Sequence, residues 1–215
     1  MKNGPLFVLG IFLALVTAWC GVLLGSHAKL GFLTTFFDEG EGVAHPQRPS
    51  GLAARGELVY ADLGCVACHT QQVRRPGNGN DQARGWGDRQ SVARHYLFQN
   101  RPQLGSLRFG PDLTNLAQRK PEAPKAEALY LKLYQGSATH PSYKFLFKTA
   151  PIAGEVSAQA LKVSGLPGTG HQVVPTERAR SLVAYLLSLR TDFEYPEARP
   201  LPKPEPAATK PEGKK

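Results

Sequence analysis

The chain has 215 residues, a formal net charge of +9 and three cysteines, and its only methionine is Met1. This length allows one domain with appendages, and the single terminal methionine excludes a methionine ligand inside the folded chain. The charge is unevenly distributed, because residues 71–120 hold eight arginines and one lysine but only three aspartates.

The first predicted element is an apolar helix over Leu6–Leu24, a segment without charge that is rich in Leu, Val, Phe and Ile. Its length is close to the ~20 residues that cross a bilayer, and Lys2 before it predicts a cytoplasmic N-terminus. A cleaved signal peptide is the alternative, because residues 26–28 resemble a small-x-small cleavage site, but the apolar stretch exceeds a usual signal core. We expect residues 1–29 to be a retained transmembrane anchor.

Residues 30–50 are predicted to be a juxtamembrane segment and linker. The apolar run Leu30–Phe37 is too short to span a membrane. The polar residues Asp38–Pro49, which include Gly and Pro, indicate a linker.

From Gly51 the pattern becomes helical and leads into a Cys-x-x-Cys-His run formed by Cys65, Cys68 and His69. This run is the attachment signature of a c-type haem. One helical turn places both thiols near the porphyrin edge and the imidazole below its face. A zinc site would need more ligands than the remaining Cys20 supplies, and a redox dithiol would not need His69. We predict one covalently bound haem c.

A c-type haem is attached on the outer side of the bacterial cytoplasmic membrane, so we expect a periplasmic haem domain. Nucleic acid is therefore a poor partner for the basic stretch that follows the motif. Pairing of arginines with haem propionates and docking on an acidic partner are better explanations, and an ordinary solvated surface is the simplest one. Arg74 and Arg108 are the candidates for cofactor binding.

The rest of the chain predicts a mainly α fold. Ala126–Gln135 and Ser157–Ser164 are plausible short helices, and Thr176 is a candidate N-cap of an amphipathic helix that ends at Arg190. The first helix, predicted from Leu52, Leu58, Val59 and Leu63, and this last helix would pack together as in a class I cytochrome c. We expect this domain over residues 51–192 and a disordered, Pro-rich tail over 193–215.

Methionine is the usual sixth ligand of high-potential c cytochromes, and this chain must use another group. Of the histidines, His140 and His171 lie in predicted loops, where a side chain can be presented without helical constraint. A lysine or an open position stays possible on these grounds.

The segments ELVYADLGCVACHTQQVRR (57–75), RGWG (84–87), GSLRFGPDL (105–113), HPSYKFLF (140–147) and ALKVSGLP (160–167) resemble subunit II of cbb3-type cytochrome c oxidases, the mono-haem cytochrome c subunit. The resemblance implies a non-catalytic electron relay that works with the catalytic subunit and other cytochrome c subunits of a membrane respiratory complex. That family has Met-Pro where this chain has His140-Pro141. The resemblance therefore implies His69 and His140 as the axial ligands, with His171 as the alternative.

A bis-histidine haem would have a lowered potential, since axial ligands move haem potentials over about 0.8 V. Two other functions therefore remain open. One is a low-potential electron carrier in another respiratory complex, and the other is a haem-based sensor with a displaceable sixth ligand.

Overall fold

The computed structural model describes residues 3–75, 77–119, 121–163, 170–191 and 193–198. The chain divides into two compact units. The first comprises residues 1–47 and 92–100, and the second comprises residues 48–91 and 101–215.

The first unit begins with α1 (Gly4–Leu30), a helix of 27 residues with no buried side chain. At 1.5 Å per residue it is about 40 Å long, more than the ~30 Å hydrocarbon core of a bilayer. It is long and apolar enough to cross a membrane. The predicted apolar helix is therefore present, and it continues past residues 26–28 to Leu30.

A small hairpin follows α1, formed by β1 (Phe36–Asp38) and β2 (Val43–His45), which pair antiparallel. The segment predicted as a linker thus contains regular structure. Its turn is closed by Gly42, with a φ of +66°, whose N–H donates to the Asp38 carbonyl at 2.8 Å. Such a positive φ favours glycine. Residues 92–100 of the same unit include a 3₁₀ turn at Ala93–Tyr96.

Among its described residues, the second unit contains three α-helices and one hairpin. The helices are α2 (Gly51–Asp62), α3 (Ala126–Gln135) and α4 (Glu177–Ser188), and the antiparallel strands are β3 (Phe147–Pro151) and β4 (His171–Pro175). The predicted helix α3 and the predicted N-cap Thr176 are both confirmed, and the cap accepts from the Ala179 N–H at 3.4 Å. The β3–β4 hairpin lies where the sequence indicated only loops.

The second short helix predicted for this unit does not form among the described residues. Within Ser157–Ser164 there is only a turn, in which the Ala160 N–H donates to the Ser157 carbonyl at 2.9 Å. Leu161 instead donates to the Val173 carbonyl of β4 at 2.8 Å. Ser164 lies outside the described residues.

Helices α2 and α4 pack against each other, as predicted for a class I cytochrome c. A Cβ on Gly56 would overlap the Ser181 carbonyl oxygen and would lie 2.6 Å from the Tyr185 Cβ. The rings of Tyr60 and Tyr185 stack at a tilted angle with centroids 5.4 Å apart. The buried positions on α2 are Ala53, Gly56 and Tyr60, and the small residues Ala53 and Gly56 allow the backbones to approach.

On α2, Leu58 is 70% exposed although it belongs to the apolar pattern that predicted the helix. On α4, by contrast, the apolar residues Leu182, Val183 and Leu186 are buried. The leucine-rich face of α4 forms the centre of the core, together with Leu113, Leu133, Leu146 and Val173.

The packed chain continues beyond residue 193, where the sequence predicts a disordered tail. Tyr195 and Ala198 are buried. Arg89 forms an ion pair with Glu194 and donates to the Ala198 carbonyl at 3.3 Å. Residues 199–215, the rest of the predicted tail, lie outside the described residues.

Substituting Gly56→Ala should lower the free energy of unfolding by about 1–3 kcal/mol, because the added methyl group forces α2 away from α4. Chemical denaturation of the detergent-solubilised full chain, followed by circular dichroism, measures this loss. Gly51→Ala is the matched control on the same helix, since a Cβ there meets nothing within 4 Å. Equal stability of the two variants would contradict the close helix approach.

Candidate haem site

The Cys-x-x-Cys-His run begins where α2 ends. Gly64 has a φ of +69° and reverses the chain, and Cys65–Ala67 then form a 3₁₀ turn. The N–H of His69 donates to the Cys65 carbonyl at 3.0 Å. One tight turn therefore holds the two thiols and the imidazole, as the sequence predicts.

The two motif thiols differ in their surroundings. Cys65 is half-buried beside the core, and burial raises the pKa of its thiol to about 11. Cys68 is exposed. Both are free thiols, so both are available for thioether bonds. Cys20, the third cysteine, lies on α1.

The His69 ring is held by the segment around Pro111. Its Nδ1 lies 2.8 Å from the Pro111 carbonyl oxygen, and because a carbonyl can only accept, Nδ1 carries the proton. The other ring nitrogen, Nε2, is then the unprotonated one that can bind a metal. A Cβ on Gly110 would lie 2.6 Å from Nδ1 and 2.8 Å from Nε2, so only glycine leaves room for the ring.

His140 is presented by a tight turn between α3 and β3. The N–H of Ser137 donates to the His140 carbonyl at 2.8 Å, and Gly136 precedes this turn with a φ of +69°. The His140 Nδ1 lies 2.9 Å from the Pro141 carbonyl oxygen, which again leaves Nε2 without a proton. Burial lowers the pKa of His140 and favours the neutral imidazole that a metal requires.

The structure brings these two histidines together. The ring centroids of His69 and His140 are 6.3 Å apart, and the ring planes are inclined at 51°. Two imidazoles that bind one metal ion from opposite sides have ring centres about 6 Å apart, because each metal–nitrogen bond is about 2 Å long and each ring centre lies about 1 Å beyond its nitrogen. The residues present therefore fit a haem iron between them.

The alternative ligand His171 is placed differently. It is the first residue of β4, where it pairs with Pro151 and is exposed. Within the described residues, His140 and not His171 is in ring contact with His69.

Large apolar side chains beside the two histidines are exposed. Phe109 precedes Gly110 and is 83% exposed, and Phe145 is 66% exposed. Phe145 contacts Tyr143 with centroids 5.9 Å apart, and Tyr143 contacts His140 at 6.0 Å. Large exposed apolar groups usually mark a binding surface, and an apolar porphyrin is a suitable ligand for this one.

The Arg108 guanidinium makes several hydrogen bonds within the protein, which the sequence did not suggest. Its Nε donates to Thr70 Oγ1 at 2.8 Å, and one terminal nitrogen donates to Gln72 O at 2.7 Å and Asp81 Oδ2 at 2.8 Å. The other terminal nitrogen also donates to Asp81. Four of its five N–H groups are thereby used, so at most one remains for a haem propionate.

Arg74 is placed differently from Arg108. Its backbone N–H donates to Asp81 Oδ2 at 2.7 Å, whereas its side chain lines an open polar pocket with Arg75, Asn78 and Gln90. Of the two arginines predicted to bind the cofactor, Arg74 is the one that lines such a space.

Sequence reasoning missed the roles of Gly110, Pro111 and Asp112, although it used them as part of a family motif. Asp112 is fully buried. The available signal was the motif GPDL (110–113) itself, which places a glycine, a proline and an aspartate next to one another. Their contacts with His69, Thr70 and Gln72 join residues 40–42 positions apart in sequence, so spacing could not reveal them.

A Gly110→Ala substitution should displace the His69 ring, because the methyl group would occupy its space. We expect about a tenfold loss of six-coordinate low-spin haem, comparable to the loss of a metal-orienting partner. The ferric absorption spectrum of the purified full chain measures it. Gly51→Ala should leave the spectrum unchanged, and an unchanged spectrum for Gly110→Ala would contradict the placement of His69.

Comparison with known protein families matches residues 11–182 to the family described as cytochrome c oxidase, mono-haem subunit/FixO. A search of curated proteins gave no match. The family match spans most of the chain, including most of α1 and the haem motif, and it confirms the similarity to the mono-haem subunit of cbb3-type oxidases. The chain therefore belongs to the FixO family, the haem-containing cytochrome c subunits that relay electrons within a membrane-bound respiratory oxidase.

Proposed function

We propose that this subunit carries one haem c, bonded to Cys65 and Cys68, whose iron is ligated by His69 and His140. The haem, when bound, supplies a reversible one-electron change between ferric and ferrous iron. The observation that carries this proposal is the pairing of the two imidazoles at 6.3 Å. Each imidazole has its Nδ1 tied to a prolyl carbonyl, so each is oriented before a metal arrives.

Different residues of the chain would hold different parts of the haem. Cys65 and Cys68 tether it through the turn that follows α2. His69 is oriented by Pro111, and His140 by Pro141. Phe109 and Phe145 offer apolar surface to the ring, and Arg74 is the candidate for pairing with a propionate, because guanidinium groups bind carboxylates through two hydrogen bonds.

The choice of His140 over methionine has an energetic consequence. An imidazole is a stronger electron donor than a thioether and stabilises ferric iron, whereas methionine raises the potential. We propose that this haem has a lower potential than one with a His–Met ligand set. Its electrons would therefore leave more readily towards a high-potential acceptor.

Within the oxidase, we propose that the subunit takes electrons from another c-type cytochrome and passes them to the haem b of the catalytic subunit. The membrane-spanning candidate α1 would anchor it. Lys2 before α1 predicts a cytoplasmic N-terminus, so the haem domain would lie on the periplasmic side.

The His140 ligand favours one further candidate function. A haem of low potential is suited to accept electrons from a quinol-linked donor, upstream of the high-potential cytochromes. The subunit could then serve a different respiratory assembly. The measured potential decides between the two, since a value below that of its donor cytochrome would oppose the relay described above.

Thioether attachment predicts a distinct result for each cysteine. Cys65→Ser or Cys68→Ser should leave one thioether bond and shift the α band of the pyridine haemochrome to longer wavelength, while the double variant should lose haem staining on a denaturing gel. Cys20→Ser is the control and should behave as the unmodified chain. Retained haem staining in the double variant would rule out attachment at this motif.

His140→Met should raise the reduction potential by roughly 0.1–0.3 V, within the ~0.8 V range that axial ligands span. Near-infrared magnetic circular dichroism should change from a bis-imidazole band to a His–Met band. His171→Ala is the matched control and should alter neither quantity. A potential that responds to His171→Ala but not to His140→Met would transfer the ligand role to His171.

A further inference from the structure

Residues 110–113 orient His69, and hydrogen bonds attach this segment to the haem motif and to Thr70 directly after it. The N–H of Gly110 donates to the Cys68 carbonyl at 2.9 Å, and the N–H of Leu113 donates to the Thr70 carbonyl at 2.8 Å. The His69 to Pro111 hydrogen bond lies between these two contacts. The position of the Pro111 carbonyl therefore depends on the interactions that hold residues 110–113 in place.

The side chain of Asp112 makes the strongest of these contacts. It is fully buried, and its Oδ2 accepts from Thr70 Oγ1 at 2.6 Å and from the Gln72 N–H at 2.8 Å. Its Oδ1 accepts from the Thr114 N–H at 2.9 Å. Hydrogen bonds to a charged group contribute more than neutral ones, so this carboxylate clamps the residues that follow His69 to those that follow Pro111.

Arg108 provides the charge that this buried carboxylate needs. One of its terminal nitrogens lies 3.6 Å from Asp112 Oδ2, and its Nε donates to the same Thr70 hydroxyl that donates to Asp112. Arg108 is itself held by Asp81, which is 1% exposed. A buried charge is tolerated when it is paired and hydrogen-bonded, and both carboxylates meet that condition.

We propose that Asp112 is a positioning residue for the proximal ligand, holding the Pro111 carbonyl against His69 Nδ1 and so tuning the electron-donor strength of the imidazole. This inference rests on the part of the proposed function in which His69 ligates the iron, and it does not depend on the sixth ligand. A firm hydrogen bond from Nδ1 increases the basicity of the ligating nitrogen, which stabilises ferric iron. The negative charge of Asp112 acts in the same direction.

The test is Asp112→Asn in the haem-loaded full chain. The amide keeps the size of the side chain but removes the charge and replaces one acceptor atom with a donor. We expect the reduction equilibrium to shift towards ferrous haem by about tenfold, the lower range of effects for partners that orient metal ligands. We also expect the His69 Nδ1 proton, observed by NMR in the ferrous state, to exchange with solvent at least several-fold faster.

Two further variants keep the test decisive. Thr70→Val removes a donor to Asp112 while keeping side-chain size, and it should also speed exchange of the Nδ1 proton, which decides the question if Asp112→Asn does not fold. Asp88→Asn is the matched control, since Asp88 is an exposed aspartate of the same unit. It removes the same charge without touching the clamp and should change neither readout.

A purely structural role for Asp112 predicts a different pattern. Thermal stability would fall in Asp112→Asn, while the potential and the exchange rate of the Nδ1 proton would match those of the unmodified chain, and this result would overturn the inference. An equal shift in Asp88→Asn would overturn it as well. Failure of the His69 ligation on which the inference rests is recognised separately, because His69→Ala would then leave the ferric spectrum of the haem-loaded chain unchanged.

Discussion

The hydrogen bond between His69 Nδ1 and the Pro111 carbonyl joins two segments that are 42 residues apart. It selects the tautomer in which Nε2 is free, and it fixes the plane of the ring. The remaining features of the site are arranged around it. Gly110 leaves space for the ring, and Asp112 fastens the segment that carries the carbonyl. In the ligation that we propose, a change in any of these residues would therefore act on the iron through one imidazole.

Where that imidazole stands depends on the crossing of α2 and α4. Gly56 lets the two backbones approach until a Cβ would overlap the Ser181 carbonyl, and Tyr60 packs on Tyr185 beside it. Because α2 ends only three residues before the Cys-x-x-Cys-His run, this crossing also determines where the run begins. The helix pair would thus support a haem attached at this run, as we propose, without supplying one of the proposed ligands.

The second imidazole of the site, that of His140, is positioned by a local turn. The segment after α3 is short and tightly bonded, with Tyr143 donating to the Leu133 carbonyl at 2.7 Å. It carries His140 to a ring distance of 6.3 Å from His69. Such a turn can present either a thioether or an imidazole without changing its backbone. In the proposed ligation, the identity of this one side chain would therefore alter the potential while the fold of the oxidase subunit is kept.

The sequence by itself determined the haem motif, the apolar helix α1, the helix α3 and the amphipathic helix α4, since each depends on short-range spacing and periodicity. It also pointed to His140 through the similarity to a family with Met-Pro at that position. The motif GPDL was visible, but the roles of Gly110, Pro111 and Asp112 were not.

Only the tertiary structure decided which distant groups meet. It placed Arg108 against Asp81, exposed Leu58 on α2, and formed the β3–β4 hairpin where the sequence indicated loops. The physical reason is that buried ion pairs, close helix crossings and hydrogen bonds to ring nitrogens join residues tens of positions apart. Packing in three dimensions determines which residues become partners in these interactions, and the local sequence pattern does not predict it.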